Sequence, residues 1–299
     1  MLSSHDSRYY SATNVGRQNL IYQKGILHMI SIKLDSKGKP TKALGHRTRQ
    51  SSIYSPGQSE VFKISRSKFD DFLKCRKCFY LDRVCGLSTP SMPGWTLNET
   101  TDLLLKREFD RCRESQVPHR IFGEFGLDSI VPFDHPNMDK WRNSLAGGVE
   151  HQIENTNIIF HGGVDDIWHN KNTDQIIIVD YKSQASTRQV TTEDYLGYVF
   201  HQSYKIQMDV YSYLMSKNGF DVFPTAYFYV CNADRNAETF SGELIFSETL
   251  VPYNWDTSWI DEKLEEMITT LNSEDLPDSN PSCENCAYAR QRNLKEILH

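Results

Sequence analysis

No stretch of this 299-residue chain is apolar for long enough to cross a bilayer. Its opening, MLSSHDSRYYSATNVGRQNL, has none of the apolar core that a secretory signal carries. Both absences lead to the expectation of a soluble, cytoplasmic protein without a membrane partner. An excess of positive charge is also missing: the formal net charge is -6, which argues against a general coat for nucleic acid. No internal repeat is present. The seven cysteines, an odd number in a chain without a signal, argue against a disulfide framework. What the chain does have is aromatic side chains, 12% of the total, enough for a substantial core.

Charge is unevenly spread. Residues 1–59 hold nine Lys and Arg against Asp6 and Asp35, a net of +7, which leaves -13 for the rest. A basic arm therefore precedes an acidic body. The arm reads either as a solvated tail or as a segment that contacts phosphates. Turn signals at DSKGKP and SPGQSE make residues 1–60 an extension with little regular structure, followed by one domain over 61–299.

Within that domain Ser67, with Asp70 three residues on, reads as a helix start, and Phe69, Phe72 and Leu73 form an apolar face. A second helix, NETTDLLLKREFDRCRE, would be capped by Asn98. Its inward stripe of Asp102, Leu105, Phe109 and Cys112 includes a carboxylate, which is unusual. Residues 115–155 give no clear pattern. Three strand candidates follow, TNIIFHGG, VDDIWHN and DQIIIVDYKS, the last two joined by good hairpin chemistry in NKNTD. HQSYKIQMDVYSYLMSKNGF reads as an amphipathic helix ending at Gly219. TAYFYVC and FSGELIFSETLVPY read as strands, and SWIDEKLEEMITTLN as a last helix with Ile260, Leu264, Met267, Ile268 and Leu271 on one face. This order predicts an α/β domain with a mixed sheet.

Asp165, Asp166, Asp180 and Lys182 fall inside two of the most strand-like runs, where charges are rare unless paired or metal-bound. In a hairpin, Asp165 and Asp180 meet at one end of the sheet, and alternation puts Asp180 and Lys182 on one face. Carboxylates so placed suit Mg²⁺ or Mn²⁺, with the backbone carbonyl of Tyr181 as a further oxygen. Such an ion polarises a phosphoryl oxygen and acidifies a bound water, while Lys182 positions that water or stabilises charge. Those parts suffice for phosphodiester hydrolysis. Asp166 reads as an exposed or supporting group. The plainer alternative makes Asp165 and Asp180 hairpin-end residues paired with Lys182. His161, His169 and His201 read as surface or hydrogen-bonded histidines.

GGVD ending at Asp165 and VDYK ending at Lys182 resemble the PD-(D/E)XK nuclease superfamily in its RecB-like branch, which writes these halves as G-x-x-D and (D/E)-x-K. That branch carries a helical Q-x-x-x-Y soon afterwards, matched by Gln207 and Tyr211, four apart on one helix face. The resemblance runs from about Ser65 to Arg292 and includes CFYLDR, similar to stand-alone bacterial and phage members. It implies a restriction-endonuclease-like core, a central mixed sheet flanked by helices, with Asp165, Asp180, Lys182, Gln207 and Tyr211 in the catalytic set. Two departures stand out. Val164 replaces the proline of the superfamily name, as is ordinary in this branch, and the branch's metal-binding histidine on an early helix is matched in place by Asp102. A carboxylate there can still ligate Mg²⁺ or Mn²⁺. Tyr211 also fits a plain core position.

Two C-x-x-C pairs, Cys75/Cys78 and Cys283/Cys286, read as metal ligands. CRISPR-associated and AddB-type relatives hold a [4Fe–4S] cluster with one early and three late cysteines. Here the last expected position is Arg292, and Cys78 would supply the fourth thiolate. The set suits either iron–sulfur or Zn²⁺ and would staple the two ends of the domain together. Four reduced, packed cysteines are the alternative.

The resemblance thus implies a divalent-metal-dependent DNA nuclease, with a family leaning towards exonucleases on ends or single strands. Its rivals are a nucleic-acid-binding protein that has lost turnover and a structural subunit of a repair or recombination complex with a helicase-like partner.

Overall fold

The computed structural model describes residues 33–92, 94–145 and 147–298. The chain divides into two compact units, Met1–Leu44 and Gly45–His299. In the first, the described residues 33–44 form a tight turn bridged at Leu34 and Pro40, with the Asp35 carboxylate taking the N–H groups of Lys37 and Lys39. Three basic residues of the arm, Arg8, Arg17 and Lys24, lie outside the described residues, so its phosphate-contacting role remains a proposal. Residues 45–60 carry a 3-10 turn at Gln50–Ser52 and belong to the larger unit. Tyr54 is buried and donates its N–H to Arg83, and Arg47 pairs with Asp82.

In the larger unit, β1 (Phe62–Ser65) leads directly into α1 (Arg66–Lys74), α2 (Arg76–Arg83) and the long α3 (Thr96–Ser115). The capping residue of α1 is Ser65, not Ser67, and its hydroxyl takes the Lys68 N–H at 3.4 Å. α3 begins at Thr96 with Trp95 at the cap, so Asn98 lies inside the first turn, and its amide reaches the Ser183 carbonyl. Residues 115–155, which lack a clear period, become four short elements: α4 (Arg120–Glu124), β2 (Ile130–Pro132), α5 (Met138–Arg142) and β3 (Val149–Gln152). Elements of three to five residues are too short to show a period. There follow β4 (Ile158–Gly162), β5 (Asp166–Asn170), β6 (Gln175–Ser186), α6 (Thr192–Gly197), α7 (Gln202–Lys217), β7 (Thr225–Asp234), β8 (Phe246–Asn254), α8 (Ile260–Leu271) and α9 (Glu284–Leu298).

The main sheet has the order β2-β5-β6-β7-β8, with β6 and β7 parallel and the other pairs antiparallel. The expected mixed sheet is therefore present, as is the β5–β6 hairpin, with Asp166 opposite Val179. β4 departs from it and joins a second sheet, β1-β4-β3. The Ile-Ile-Ile-Val run of β6 is continuous rather than alternating because the strand is covered on both faces. Ile176 and Ile178 enter a core shared with α1, α7 and α8, while Ile177, Val179 and Tyr181 enter a second core with Leu105 and Phe109 of α3.

α7 was expected to be amphipathic, yet every residue from Gln207 to Met215 is buried. The reason is its position: it packs on β6 of the main sheet and on β3 and β4 of the second. A helix between two sheets has no free face, and its polar residues must find partners.

Candidate active site

β5 stops pairing at Asp166 while β6 continues, so Asp165 sits where the sheet edge opens. Its carboxylate takes the Tyr181 N–H at 3.0 Å. In a strand the carbonyl of a residue points to the same edge as its N–H, so the Tyr181 oxygen faces the edge that Asp165 occupies. On the α7 side of β6, Asp180 is wholly buried, with Lys182 as its ion-pair partner. Gln207 on α7 donates one amide nitrogen to Asp180 at 2.6 Å and to the Tyr211 hydroxyl at 3.0 Å. The three sequence motifs thus meet at one place.

Their glycine has a physical reason as well. A Cβ on Gly162 would lie 2.8 Å from the Tyr211 ring, so only glycine lets this tyrosine close over the start of the hairpin.

Asp102 approaches from α3, which packs against β6 and β2. Lys106, one turn further along α3, lies 2.9 Å from Asp102 and 3.8 Å from Asp165. Burial raises the pKa of Asp102, and the nearby Asp165 charge raises it further against the opposing pull of Lys106. Burial pushes Asp180 up to about 7, helped by Asp165 and opposed by Lys182. Three carboxyls therefore share two ammonium groups, and two of the three hold protons more tightly than an ordinary carboxyl. Oxygen donors with this deficit of positive charge fit a hard divalent cation. The side chains do not close on one point, however. Among the described residues, the set of three or more metal-binding side chains whose ligand atoms all lie within 4.8 Å of one another is Cys75, Cys78, Cys283 and Cys286.

Asp166 is wholly buried, not exposed. It accepts from Arg113, from Arg142 at 2.8 Å, from the Tyr181 hydroxyl at 2.6 Å and from the Ile167 N–H at 2.8 Å. Asp110 binds the same two guanidinium groups. This network and Lys106 escape a reading by motif. The local signals are helical spacings on α3, i+4 from Asp102 to Lys106 and i+3 from Asp110 to Arg113.

The four cysteines converge although 205 residues separate Cys78 from Cys283. Cys75 lies between α1 and α2, Cys78 in α2, Cys283 just before α9, and Cys286 within it. Their sulfurs are 3.4 Å (Cys78–Cys286), 3.6 Å (Cys78–Cys283) and 3.8 Å (Cys75–Cys286) apart. Four thiolates around one ion at about 2.3 Å would be spaced about 3.8 Å apart, so the set fits a single tetrahedral ion. Burial pushes the Cys75 thiol up, but backbone N–H groups of Cys78 and Asn280 and the neighbouring thiols more than offset it, leaving about 7. A thiol poised there readily becomes the thiolate that metals bind. Arg292 takes no part and pairs with Glu296.

A comparison with curated proteins found no match. A crystal structure of a candidate exonuclease from Eubacterium rectale matches at 15% identity over 76% of this chain and 87% of that one, with a TM-score of 0.37. The family model of the PD-(D/E)XK nuclease superfamily matches residues 95–291, well over half of the chain and the whole stretch from Asp102 to Cys286. The chain belongs to the PD-(D/E)XK nuclease superfamily.

Proposed function

We propose that this protein is a divalent-metal-dependent deoxyribonuclease of the RecB-like type that acts on DNA ends or single strands, in the manner of an exonuclease. The observation that carries the reading is the junction of Asp165, Asp180, Lys182, Gln207 and Tyr211 at an open sheet edge. Asp165, Asp180, Asp102 and the Tyr181 carbonyl would hold Mg²⁺ or Mn²⁺, which polarises the scissile phosphate and acidifies a water when bound. Gln207 fixes the Asp180 rotamer, and Tyr211 fixes Gln207. Lys182 lies at the mouth of the site, where its ammonium holds the attacking water or meets charge building on the phosphate. Lys106 is placed to take over whichever of Asp102 and Asp165 carries uncompensated charge.

At the thiol cluster the spacing favours Zn²⁺. In a [4Fe–4S] cube each thiolate binds a different iron, which sets the sulfurs farther apart than one shared ion does. The ion would tie α1 and α2 to α9 and act in folding rather than turnover. Metal analysis of anaerobically purified protein should give one zinc per chain, lost in Cys283→Ser. Brown, iron-containing protein overturns this part.

The experiment for the main reading is cleavage of labelled single-stranded and duplex DNA, and of RNA, with Mg²⁺, Mn²⁺ or EDTA. Metal-dependent cleavage of DNA ends or single strands supports it; no cleavage of any substrate by folded, zinc-loaded protein sinks it. A second reading, a binding or structural subunit with a helicase-like partner, draws support from Lys106 and Lys182, which already neutralise most of the carboxylate charge. Co-purification of such a partner with an inactive chain would favour it. No described helix is long and apolar enough to cross a membrane.

A further inference from the structure

The stretch between α6 and α7 leaves three consecutive apolar side chains in solvent: Tyr198 at 51%, Val199 at 67% and Phe200 at 74% exposure. Large exposed rings side by side are uncommon on a surface that nothing covers. Here they end a continuous series of aromatic contacts that starts at the active site. The Lys182 ammonium stands 4.6 Å above the Tyr204 ring. Tyr204 stacks on His201 at 4.9 Å, His201 meets Tyr198 edge-on at 4.9 Å, and Tyr198 meets Phe200 at 5.4 Å.

A cleft of about 750 Å³ is lined by Gln184, Ser186, Arg188, Tyr198 and His201 together with the carboxylates Glu193 and Asp194, and Phe200 adjoins it through its contact with Tyr198. Gln184 and Ser186 continue the β6 face that carries Asp180 and Lys182, because alternate residues of a strand share a face. The cleft therefore leads away from the reacting centre, and Ser186 lies roughly 20 Å along the strand from Asp180. Arg188 is exposed, and its guanidinium enters no ion pair among the described residues.

We propose that the cleft beside β6 binds an unpaired nucleic-acid strand, with bases stacked on Tyr198 and Phe200 and a backbone phosphate on Arg188. The proposal rests on the nuclease reading and specifies how its substrate is held. Stacking on exposed rings needs a free base face, which a single strand offers and a duplex does not. A cation beside the rings suits the phosphate of the same strand. Continuity with Lys182 favours a strand over a protein partner, since the contact series leads to the phosphate-handling lysine rather than to an isolated patch.

The test compares wild type with Tyr198→Ala/Phe200→Ala and with Tyr198→Phe/Phe200→Tyr in the full chain. Binding is read by anisotropy with a labelled oligothymidylate, the same oligomer with abasic sites, and a blunt duplex, in Ca²⁺. The alanine pair should lose about tenfold in single-strand affinity for each ring removed, the conservative pair little, and duplex binding should barely change. Wild type should lose a similar factor on the abasic oligomer, whereas the alanine pair should no longer distinguish the two oligomers. Hydrolysis of bis(p-nitrophenyl) phosphate, too short to reach the rings, should be equal in all three proteins. Unchanged single-strand affinity in the alanine pair overturns the proposal. So does a wild-type dimer that the alanine pair dissolves, since the rings would then be a contact between two copies. Wild type that hydrolyses the small diester but is indifferent to bases refutes the stacking site alone. Wild type that neither hydrolyses the diester nor cleaves DNA refutes the nuclease reading beneath it.

Discussion

Asp165 and Asp166 are neighbours in the chain, but their carboxylates lie in opposite electrostatic settings. Asp166 points into the core on the α3 side, where two arginines, a phenol and a backbone N–H saturate it. Arginine keeps its charge at any pH the fold survives, and its planar fork holds two carboxylates in fixed geometry. Asp165 instead stands at the open sheet edge beside Asp102 and Asp180, where the countercharges are two lysines on flexible stems. Burial and mutual repulsion there raise the proton affinity of Asp102 and Asp180. One cluster is complete and rigid; the other lacks positive charge and can exchange it. Carboxylates left short of partners beside an open edge mark chemistry, and carboxylates with every lone pair used mark structure.

The largest effects should separate the two clusters cleanly. Under the proposed nuclease reading Lys182→Ala removes the ammonium that meets the phosphate, so cleavage should fall at least a hundredfold, while the melting temperature should fall less than in Asp166→Asn because the buried Asp180 can take up a proton once its partner is gone. Asp166→Asn should do the converse. It leaves two buried guanidinium groups without their main acceptor, at about 3–5 kcal/mol of stability, which a denaturant titration would read. Turnover per folded molecule should survive. A stable Asp166→Asn protein without activity, or a Lys182→Ala protein that cleaves normally, would break the division.

How much of this was legible beforehand differs between the clusters in the same way. The open cluster was readable because its chemistry repeats at short spacings: Asp180 and Lys182 two apart on a strand, Gln207 and Tyr211 four apart on a helix. The saturated cluster was not, because Asp110, Arg113, Arg142 and Asp166 come from three elements with no shared period, one of them the five-residue α5. The fold followed the same rule. Long periodic elements such as α3 and β6 were visible, while β4 could not be assigned to a second sheet, since a strand's own residues do not say which neighbour it pairs with. The all-round burial of α7 likewise depends on a second sheet that only the tertiary structure supplies. The two C-x-x-C pairs stand out in the sequence because their spacing is short, and the structure brings their four sulfurs within 4.8 Å of one another.

A smaller effect should come from Asp102, the member of the open cluster least tied to its neighbours. Asp102→Asn keeps the size of the side chain but removes its charge, which frees Lys106 to pair with Asp165 alone. Cleavage should fall severalfold to tenfold or more, and the thermal shift produced by Mn²⁺ should shrink. Asp102→His should restore part of both, more with Mn²⁺ than with Mg²⁺, because imidazole suits the softer ion. Normal cleavage and a full Mn²⁺ shift in Asp102→Asn would remove this residue from the metal site.

The smallest effect is a slope in stability with pH, and its sign distinguishes the clusters without any assay of activity. A group whose folded pKa is raised makes the folded state bind protons more readily than the unfolded chain, so its contribution to stability falls as pH rises through that window. For Asp180 the window runs from the ordinary value of 3.8 up to about 7, and Asp102 adds in the same direction. Groups such as Asp82 and Glu248 are held below their ordinary values, chiefly by Arg83 and Lys68 in one case and Arg120 in the other, against the effect of burial. Their contribution is present above the ordinary carboxylate range and is lost as pH falls below it. In EDTA, therefore, the protein should weaken from about pH 5 towards pH 7 through the open cluster and weaken again in acid through the paired carboxylates. With Mn²⁺ the first slope should reverse, because the ion binds the deprotonated carboxylates and competes with protons. Asp180→Asn should flatten the EDTA slope over this window, leaving the part that Asp102 contributes, and keep the acid limb in place. Equal slopes in wild type and Asp180→Asn, measured by denaturant unfolding at each pH, would mean that the buried carboxyl titrates no differently in the folded and unfolded chains.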